Sequence, residues 1–225
     1  MIKPYYETKL GKLYCCDSLE LLPQLDVEVD LVLTDPPYLM HMGGAGCFKN
    51  RKYKTEIHNN LDSGFDLTVL KNFDNWFCFC SKSLIVDLIN IASDDNWMIL
   101  TWNKNNPLPQ TNNTYLPDTE YIIHKYKKNR LFGNYEDKRR FIITDVEKNN
   151  IDHPTVKPIK IIKKLLRLGS QENDLILDPF LGSGTTAVAA ESLNRRWIGI
   201  EKEQKYCDIA IQRLQNEVQY ELFGA

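Results

Sequence analysis

The chain has 225 residues, of which 43% are hydrophobic and 26% charged, a composition that predicts a globular domain and excludes a disordered chain. No apolar stretch approaches the roughly 20 residues that a membrane helix needs, and the first residues have no apolar core of the signal-peptide kind. We therefore expect a cytoplasmic protein without a membrane partner.

Charge and cysteine usage narrow the class further. The formal net charge of −2 excludes a polycation, but Lys and Arg concentrate in the segments 49–54, 124–140 and 157–167. Such runs favour a polyanionic partner. The six cysteines form no C-x-x-C pair, which favours reduced, mostly buried thiols over a zinc site, so no metal is expected.

The first half of the chain predicts strands that alternate with helices. "KLYCCD" (12–17) predicts a strand, and "SLELLPQL" (18–25) predicts a short helix that Ser18 can cap. "VDLVLT" (29–34) is apolar on both faces, as expected of a strand in a sheet covered on both sides. Residues 66–93 predict a helix, because their apolar residues recur at helix spacing.

The second half continues this alternation. Strands are predicted at 97–102, 120–128, 140–144, 174–178 and 196–201. Helices are predicted at 158–168, 185–193 and 203–219. Together these elements predict one α/β domain over residues 1–225, built on a mainly parallel sheet.

A strand that runs into a glycine turn and then a helix is the strongest local motif, in "LILDPFLGSGTTAVAAE" (175–191). Gly182 and Gly184 let the backbone turn tightly and approach a ligand closely. Glu201 follows Gly182 by nineteen residues, at a strand end where a carboxylate can accept the hydroxyl hydrogens of a ribose. The motif leaves NAD(P) and S-adenosylmethionine as alternative ligands.

The place of this glycine unit in the chain favours S-adenosylmethionine. A dinucleotide-binding fold usually begins with the unit, but here only 24 residues follow Glu201, so the other strands precede it. Asp178 lies just ahead of the glycines, where an acid suits the cationic sulfonium and ammonium groups of S-adenosylmethionine better than a pyrophosphate.

The stretch "TDPPY" (34–38) predicts a clamp for the amino group of a nucleobase. Asp35 lies at a predicted strand end, as do Asp17, Asp178 and Glu201, so these acids are expected to converge at one edge of the sheet. The two prolines stiffen the backbone and leave carbonyl acceptors, and the tyrosine ring can stack on a flipped base.

In this order, "TDPPY", "HPTVKP" (153–158) and "LDPFLGSGTT" (177–186) resemble the motifs of the amino-group DNA methyltransferases of the β order. In that group the catalytic motif precedes the cofactor motif, and the resemblance covers almost the whole chain. It implies a single Rossmann-like methyltransferase domain with helices on both faces of its sheet and a circularly permuted motif order.

The resemblance and the basic segments together assign individual residues. Those implied to hold the target base and carry catalysis are Asp35, Pro36, Pro37 and Tyr38. Those implied to hold S-adenosylmethionine are Asp17, Asp35, His153, Thr155, Lys157, Asp178, Phe180, Gly182, Gly184, Thr185 and Glu201. The expected DNA contacts, from the loop 39–65 and the segment 124–152, are Lys49, Arg51, Lys52, Lys54, Lys127, Lys128, Arg130, Arg139 and Arg140.

The implied activity is methyl transfer from S-adenosylmethionine to the N6 of adenine in a short specific DNA sequence after base flipping, as in restriction–modification systems. Asp35 and the Pro36 carbonyl would polarise the amine, so neither a metal nor a covalent cysteine is required. N4-cytosine methylation stays an alternative, although Asp before Pro-Pro-Tyr favours adenine in this group. An NAD(P)-linked oxidoreductase and an inactive DNA-binding protein are alternatives of other classes.

One departure from the resembled group concerns DNA recognition. Larger members insert a long recognition region before "HPT", but here only 22 residues separate Arg130 from His153. We therefore expect the loop 39–65, this short segment or a partner to recognise the sequence. Double-stranded DNA is the expected partner, and a homodimer is left open.

Overall fold

The computed structural model describes residues 2–37, 67–107, 109, 115–127, 131–146 and 156–223. In these ranges nine strands form one sheet. They are β1 Tyr6–Glu7, β2 Gly11–Cys15, β3 Leu31–Thr34, β4 Trp76–Cys80, β5 Asn96–Lys104, β6 Thr119–Tyr126, β7 Phe141–Thr144, β8 Leu175–Asp178 and β9 Arg196–Glu201. The helices are α1 Ser18–Leu21, α2 Ile85–Ala92, α3 Ile159–Gly169, α4 Thr185–Glu191 and α5 Gln204–Phe223, with short 3-10 helices at Leu22–Gln24 and Leu67–Asn72.

The order of the strands across the sheet is β1-β2-β9-β8-β3-β4-β6-β5-β7. The strands β2, β9, β8, β3 and β4 are parallel to one another. β6 runs antiparallel to both of its neighbours, β4 and β5, while β7 is parallel to β5. The sheet is therefore mainly parallel, as predicted.

Helices cover both faces of this sheet. One apolar cluster joins α3, α4 and α5 to strand residues such as Leu33 and Phe77. A second cluster joins α1, α2 and the 3-10 helices to strand residues that point the other way, such as Val32 and Trp76. All four residues of β3 are consequently buried, which is the pattern of a strand covered on both sides.

The predicted helix at 66–93 is wrong over most of its length. The structure has a 3-10 helix at Leu67–Asn72, then the strand β4, and only then the helix α2. All five residues of β4 are buried, because it lies between β3 and β6. A strand that is apolar on both faces has no alternation, so periodicity alone does not distinguish it from a buried helix.

The cap of the short helix α1 also differs from the expectation. The N-cap is Asp17, whose carboxylate accepts the N–H of Leu19 at 2.9 Å. Ser18 is the first helical residue and is buried. The cap fixes the Asp17 side chain just beyond the end of β2.

The other predicted strands and helices are confirmed, with ends that shift by a few residues. None of the helices described by the structure is long and apolar enough to cross a membrane. The five cysteines in the described ranges are free, and Cys78, Cys80 and Cys207 are buried.

Candidate active site

Four parallel neighbours, β2, β9, β8 and β3, end at one edge of the sheet, which we call the carboxyl edge. Asp178 and Glu201 are the last residues of β8 and β9, and Asp17 and Asp35 follow β2 and β3. The four acids that were predicted to share an edge therefore lie along it. This is the edge at which open α/β sheets bind their ligands.

The glycine turn between β8 and α4 depends on left-handed backbone conformations. Gly182 has a φ of 54° and Gly184 a φ of 83°, values that favour glycine. A Cβ on Gly184 would also lie 2.7 Å from the Cβ of Ala210 on α5. Gly184 is thus required by its own conformation and by close packing against α5, in addition to any approach to a ligand.

Glu201 fastens this glycine turn to the end of β9. Its carboxylate accepts the backbone N–H of Gly182 and that of Glu203, both at 2.8 Å. Burial raises its pKa above the ordinary value, and these hydrogen bonds oppose the rise. A carboxylate with two N–H bonds still has lone pairs to offer a ligand hydroxyl.

Asp178 is the most deeply buried of the four acids, with 5% of the residue exposed. Burial raises its pKa to about 7, although hydrogen bonds from the Thr186 hydroxyl and the Phe180 N–H oppose the rise. The N–H of Phe180 lies 3.1 Å from the carboxylate. A buried carboxylate of this kind gains most from a cationic ligand, so Asp178 fits the sulfonium and ammonium groups of S-adenosylmethionine.

Sequence reasoning missed Arg213, a residue of α5 whose side chain holds the glycine turn in place. Arg213 on α5 donates to the carbonyl of Ser183 at 2.6 Å, and to the hydroxyls of Ser183 and Thr185 at 3.0 Å each. The only sequence signal was a basic residue on the closing helix. Thr185, a predicted cofactor residue, therefore has its hydroxyl engaged within the protein.

Asp35 and Lys157 form an ion pair at the carboxyl edge. Only 9% of the Lys157 side chain is exposed, and Asp35 is directly followed by the buried Pro36 and by Pro37. Lys157 was expected to line the cofactor pocket, but here its ammonium contacts the acid of the expected base clamp. The two motifs "TDPPY" and "HPTVKP" are thereby joined.

A further acid and a further lysine extend this pair. Lys157 Nζ lies 3.3 Å from Glu120 Oε2, and Glu120 Oε1 lies 2.7 Å from Lys104 Nζ. Burial would lower the pKa of Lys157, but Asp35 and Glu120 raise it above its ordinary value. Burial would likewise raise the pKa of Glu120, but the two lysines lower it. Lys157 and Glu120 are therefore both charged at neutral pH.

Sequence reasoning missed Glu120 because it did not establish the direction of β6, and it missed Lys104 because the predicted strand 97–102 ends before that residue. Glu120 lies at the start of β6, which is antiparallel to β4, so its first residues reach the carboxyl edge. Lys104 is the last residue of β5. The strand 120–128 was predicted without a direction, and ligands were expected outside the C-terminal ends of the strands.

Asp17 lies at the outer end of the row of acids. Besides capping α1, its carboxylate lies 3.5 Å from Lys202 Nζ, and 37% of its side chain is exposed. A partly exposed carboxylate with these partners still has lone pairs for a polar edge of a ligand, so its expected place near the adenine of the cofactor is compatible with the geometry.

One of the expected DNA contacts, Lys127, lies at the opposite edge, which we call the amino edge, whereas Arg139 and Arg140 lie beside the carboxyl half of β5, because Phe141 pairs with Thr101. Lys127 follows the end of the antiparallel β6 and pairs with Asp74 at 2.6 Å. Arg139 and Arg140 precede β7, and Arg139 pairs with Glu136 at 2.9 Å. The structure does not bring these residues together with the four acids.

The remaining predicted site residues lie outside the described residues, and their roles stay predictions. They are Tyr38, Lys49, Arg51, Lys52, Lys54, Lys128, Arg130, His153 and Thr155. The whole loop 39–65 and parts of the segment 124–152 also lie outside the described residues.

Comparison with known proteins identifies the class that this site belongs to. Residues 29–212 match a family described as DNA methylase. The Type II methyltransferase M2.LlaDCHI of Lactococcus lactis subsp. cremoris is 33% identical, with 99% of this chain and 96% of the relative covered. The Type II methyltransferase M2.MboI of Moraxella bovis is 28% identical, with 94% and 91% covered.

A solved structure of M1.HpyAVI in complex with S-adenosylmethionine (SAM) matches the fold with a TM-score of 0.69 and 26% identity, covering 91% of this chain and 100% of that one. The chain therefore belongs to the DNA methylase family. It is an enzyme that uses S-adenosylmethionine to methylate DNA. The predicted family, fold class, enzyme class and cofactor are confirmed, and the oxidoreductase alternative is dropped.

Proposed function

We propose that this enzyme methylates the exocyclic N6 of adenine in double-stranded DNA, after the base is flipped from the duplex. The observation that carries the proposal is the pairing of β3 with β8. Asp35 follows β3 and Asp178 ends β8, so the acid for the base and the acid for the cofactor are neighbours. In-line methyl transfer needs its two reactants held side by side in this way.

The amine of the base would be held by two adjacent acceptors, the Asp35 carboxylate and the Pro36 carbonyl. Pro36 and Pro37 carry no N–H groups that could compete for these oxygens. The attacking nitrogen gains positive charge, so its interaction with Asp35 strengthens as the transition state forms. Such an interaction lowers the barrier because it is stronger in the transition state than in the ground state.

S-adenosylmethionine supplies a methyl group that its sulfonium already activates, so the residues of this chain need only bind and orient the two reactants. Asp178 would face the positive charge of the cofactor, which would return its pKa from about 7 toward the ordinary range. Glu201 would accept ribose hydroxyls while it holds the turn at Gly182. Phe180 and Thr185 flank this turn.

Adenine is proposed over cytosine because Asp35 precedes Pro36, Pro37 and Tyr38. In the resembled group an Asp at this place goes mostly with adenine, and a Ser mostly with cytosine. N4-cytosine methylation is the second candidate, since it would use the same acceptors for an exocyclic amine. The Tyr38 ring would stack on the flipped base in either case.

Recognition of a short DNA sequence is assigned to the loop 39–65 and the segment 124–152, as part of a restriction–modification system. The four basic residues at 49–54 support contact with phosphates.

A DNA substrate and free thiols support a cytoplasmic location. A homodimer stays a prediction, which sedimentation of the purified protein tests.

Incubation with tritiated S-adenosylmethionine and mixed-sequence duplex DNA, followed by nucleoside analysis, tests this proposal. We expect the label in N6-methyldeoxyadenosine for the wild type and for Asp26→Ala, which changes an exposed acid away from the carboxyl edge. We expect no label for Asp35→Ala. Label in N4-methyldeoxycytidine would contradict the choice of adenine, and full activity of Asp35→Ala would contradict the base clamp.

A further inference from the structure

Four side chains of alternating charge form a row at the carboxyl edge, Asp35, Lys157, Glu120 and Lys104. Lys157 Nζ contacts Asp35 and lies 3.3 Å from Glu120, which in turn lies 2.7 Å from Lys104. The Lys157 ammonium also lies 5.1 Å from the centre of the Phe79 ring, and Lys104 lies 4.9 Å from that of Trp102. Aromatic faces favour a nearby cation, so both ammonium groups have fixed surroundings.

A lysine beside Asp35 has two opposing effects on the proposed reaction. Its N–H bonds hold the carboxylate in one orientation, which favours an acceptor that must meet the amine of a base. Its positive charge, however, opposes the positive charge that the amine gains in the transition state. Like charges a few ångströms apart repel strongly where water screens them weakly, so this opposition would be large if nothing offset it.

Glu120 lies on the other side of the same ammonium and offsets its charge. Its side chain is 28% exposed and that of Lys157 only 9%, so water screens this part of the row weakly. With Glu120 ionised, Asp35 keeps the orientation that Lys157 imposes, and the row as a whole does not repel a positive charge.

We infer that Glu120 is a positioning residue for methyl transfer: it holds Lys157 between two carboxylates, so that Lys157 orients Asp35 without cancelling its charge. The inference rests on the proposed function of Asp35. It gives Glu120 a role in the step itself, exerted through Lys157, and not only in the stability of the fold.

A second buried ion pair, between Lys125 and Asp95, resembles that of Lys157 and Glu120 but lies away from the site, so it serves as a control. Lys125 Nζ lies 3.3 Å from Asp95, and their side chains are 6% and 26% exposed. These values closely match those of Lys157 and Glu120, but the pair lies at the amino edge, because Lys125 is near the end of β6. Asp95→Asn is therefore the control for Glu120→Gln.

The experiment measures single-turnover methylation with saturating cofactor and DNA, together with cofactor affinity and thermal unfolding, for Glu120→Gln, Glu120→Asp, Lys157→Met and the double variant Glu120→Gln/Lys157→Met. For Glu120→Gln we expect a rate roughly 10–100-fold lower, in the range for electrostatic groups near a transition state, with cofactor affinity unchanged. Glu120→Asp should restore most of the rate. Asp95→Asn should keep the wild-type rate.

The double variant separates a positioning role from a structural one. Removing Lys157 as well should make the enzyme faster than Glu120→Gln alone, because the uncompensated ammonium is gone. If the two substitutions slow the enzyme independently, or if Glu120→Gln lowers only thermal stability, the inference is wrong. If Glu120→Gln does not fold, Lys157→Met and the double variant decide: equal rates support the inference, and a slower double variant overturns it.

Failure of this inference is distinguishable from failure of the proposed function. A wild-type enzyme that labels no adenine would contradict the proposed function whatever the variants do. A wild type that labels adenine, beside a Glu120→Gln variant of equal rate, would contradict only the role of Glu120.

Discussion

The two edges of the sheet treat buried polar groups in different ways. At the carboxyl edge, burial raises the pKa of both Asp178 and Glu201, despite the hydrogen bonds that they accept. At the amino edge, the buried Lys125 donates to the carbonyl of Phe73 at 3.2 Å and pairs with Asp95. The carboxyl edge therefore keeps two acids, Asp178 and Glu201, whose charge is costly in the free protein, whereas Lys125 at the amino edge is matched within the fold.

Asn75 shows how a buried polar side chain of the amino edge is matched within the fold. Its amide donates to the carbonyls of Asp30 and Gly169, at 3.1 and 2.8 Å, and its oxygen lies 3.2 Å from a ring nitrogen of His124. Burial lowers the pKa of His124 to about 3, so this ring is neutral at physiological pH. The difference indicates that the protein keeps acids that are costly to ionise where a cationic ligand can stabilise their charge. Where no ligand binds, buried polar groups are stabilised by hydrogen bonds within the fold.

The largest expected effect comes from Asp35→Ala at the carboxyl edge. Asp35 lies outside the buried strand β3, so its loss leaves no cavity in the core, but it removes the acceptor for the amine. Loss of such a group costs about 10²–10³-fold or more in rate. Single-turnover methylation with saturating cofactor measures this, with cofactor affinity as the control. A variant of near-normal rate would mean that "TDPPY" is only a turn.

Asn75→Ala should produce the opposite result at the amino edge. The substitution leaves the buried carbonyl of Gly169 and the partly buried carbonyl of Asp30 without this donor, and an unsatisfied buried group costs about 1–3 kcal/mol. We expect the free energy of unfolding, measured in denaturant, to fall by at least that amount. The single-turnover rate of the folded protein should stay as in the wild type. A fully folded Asn75→Ala variant with a slower methylation rate would contradict the conclusion that this amino-edge residue serves only stability.

Asp178 makes the carboxyl edge sensitive to pH. Because burial raises its pKa to about 7 in the free protein, a cationic ligand meets the ionised acid only above that pH. Cofactor affinity should fall about tenfold from pH 8 to pH 6, since below its pKa the ionised fraction drops tenfold per pH unit. Calorimetry at several pH values tests this, and Asp178→Asn should bind weakly at every pH.

The raised pKa of Asp178 also makes stability depend on pH, but in the opposite direction to cofactor affinity. Between the ordinary pKa of an aspartate and about 7, the folded protein holds a proton on Asp178 that the unfolded chain has lost. The contribution of Asp178 to stability therefore declines as the pH rises through this window, until the acid is ionised in both states. Asp178→Asn should remove this part of the pH dependence of unfolding, and an unchanged profile would contradict the raised pKa of Asp178.

The sequence predicted the carboxyl edge far better than the rest of the charge network. Asp35, Asp178 and Glu201 each follow an apolar strand, and parallel strands end at a common edge, so their convergence follows from chain order. Glu120 was not predicted because its strand runs antiparallel and places its first residues at the carboxyl edge. The strand β4 was not predicted because burial on both faces leaves no alternation of apolar and polar residues.

The smallest expected effect separates DNA contacts at the two edges. Lys127 is already paired with Asp74 at 2.6 Å, and it lies across the sheet from Asp35, whereas the loop that carries Lys49 and Arg51 directly follows the base clamp in the chain. Each phosphate contact that is lost should flatten the slope of log K against log salt by about one unit. Lys49→Ala with Arg51→Ala should therefore flatten the slope by about two units.

Lys127→Ala with Arg196→Ala serves as the matched double substitution at the amino edge, since Arg196 is the exposed first residue of β9 and the pair removes the same number of positive charges. We expect this pair to leave the slope within about half a unit of the wild type, because charges that do not contact phosphates release no counterions. Binding measured by fluorescence anisotropy over a series of salt concentrations gives both slopes. If the amino-edge pair flattens the slope as much as the loop pair, DNA reaches across the sheet, and Lys127 contacts it as the sequence first indicated.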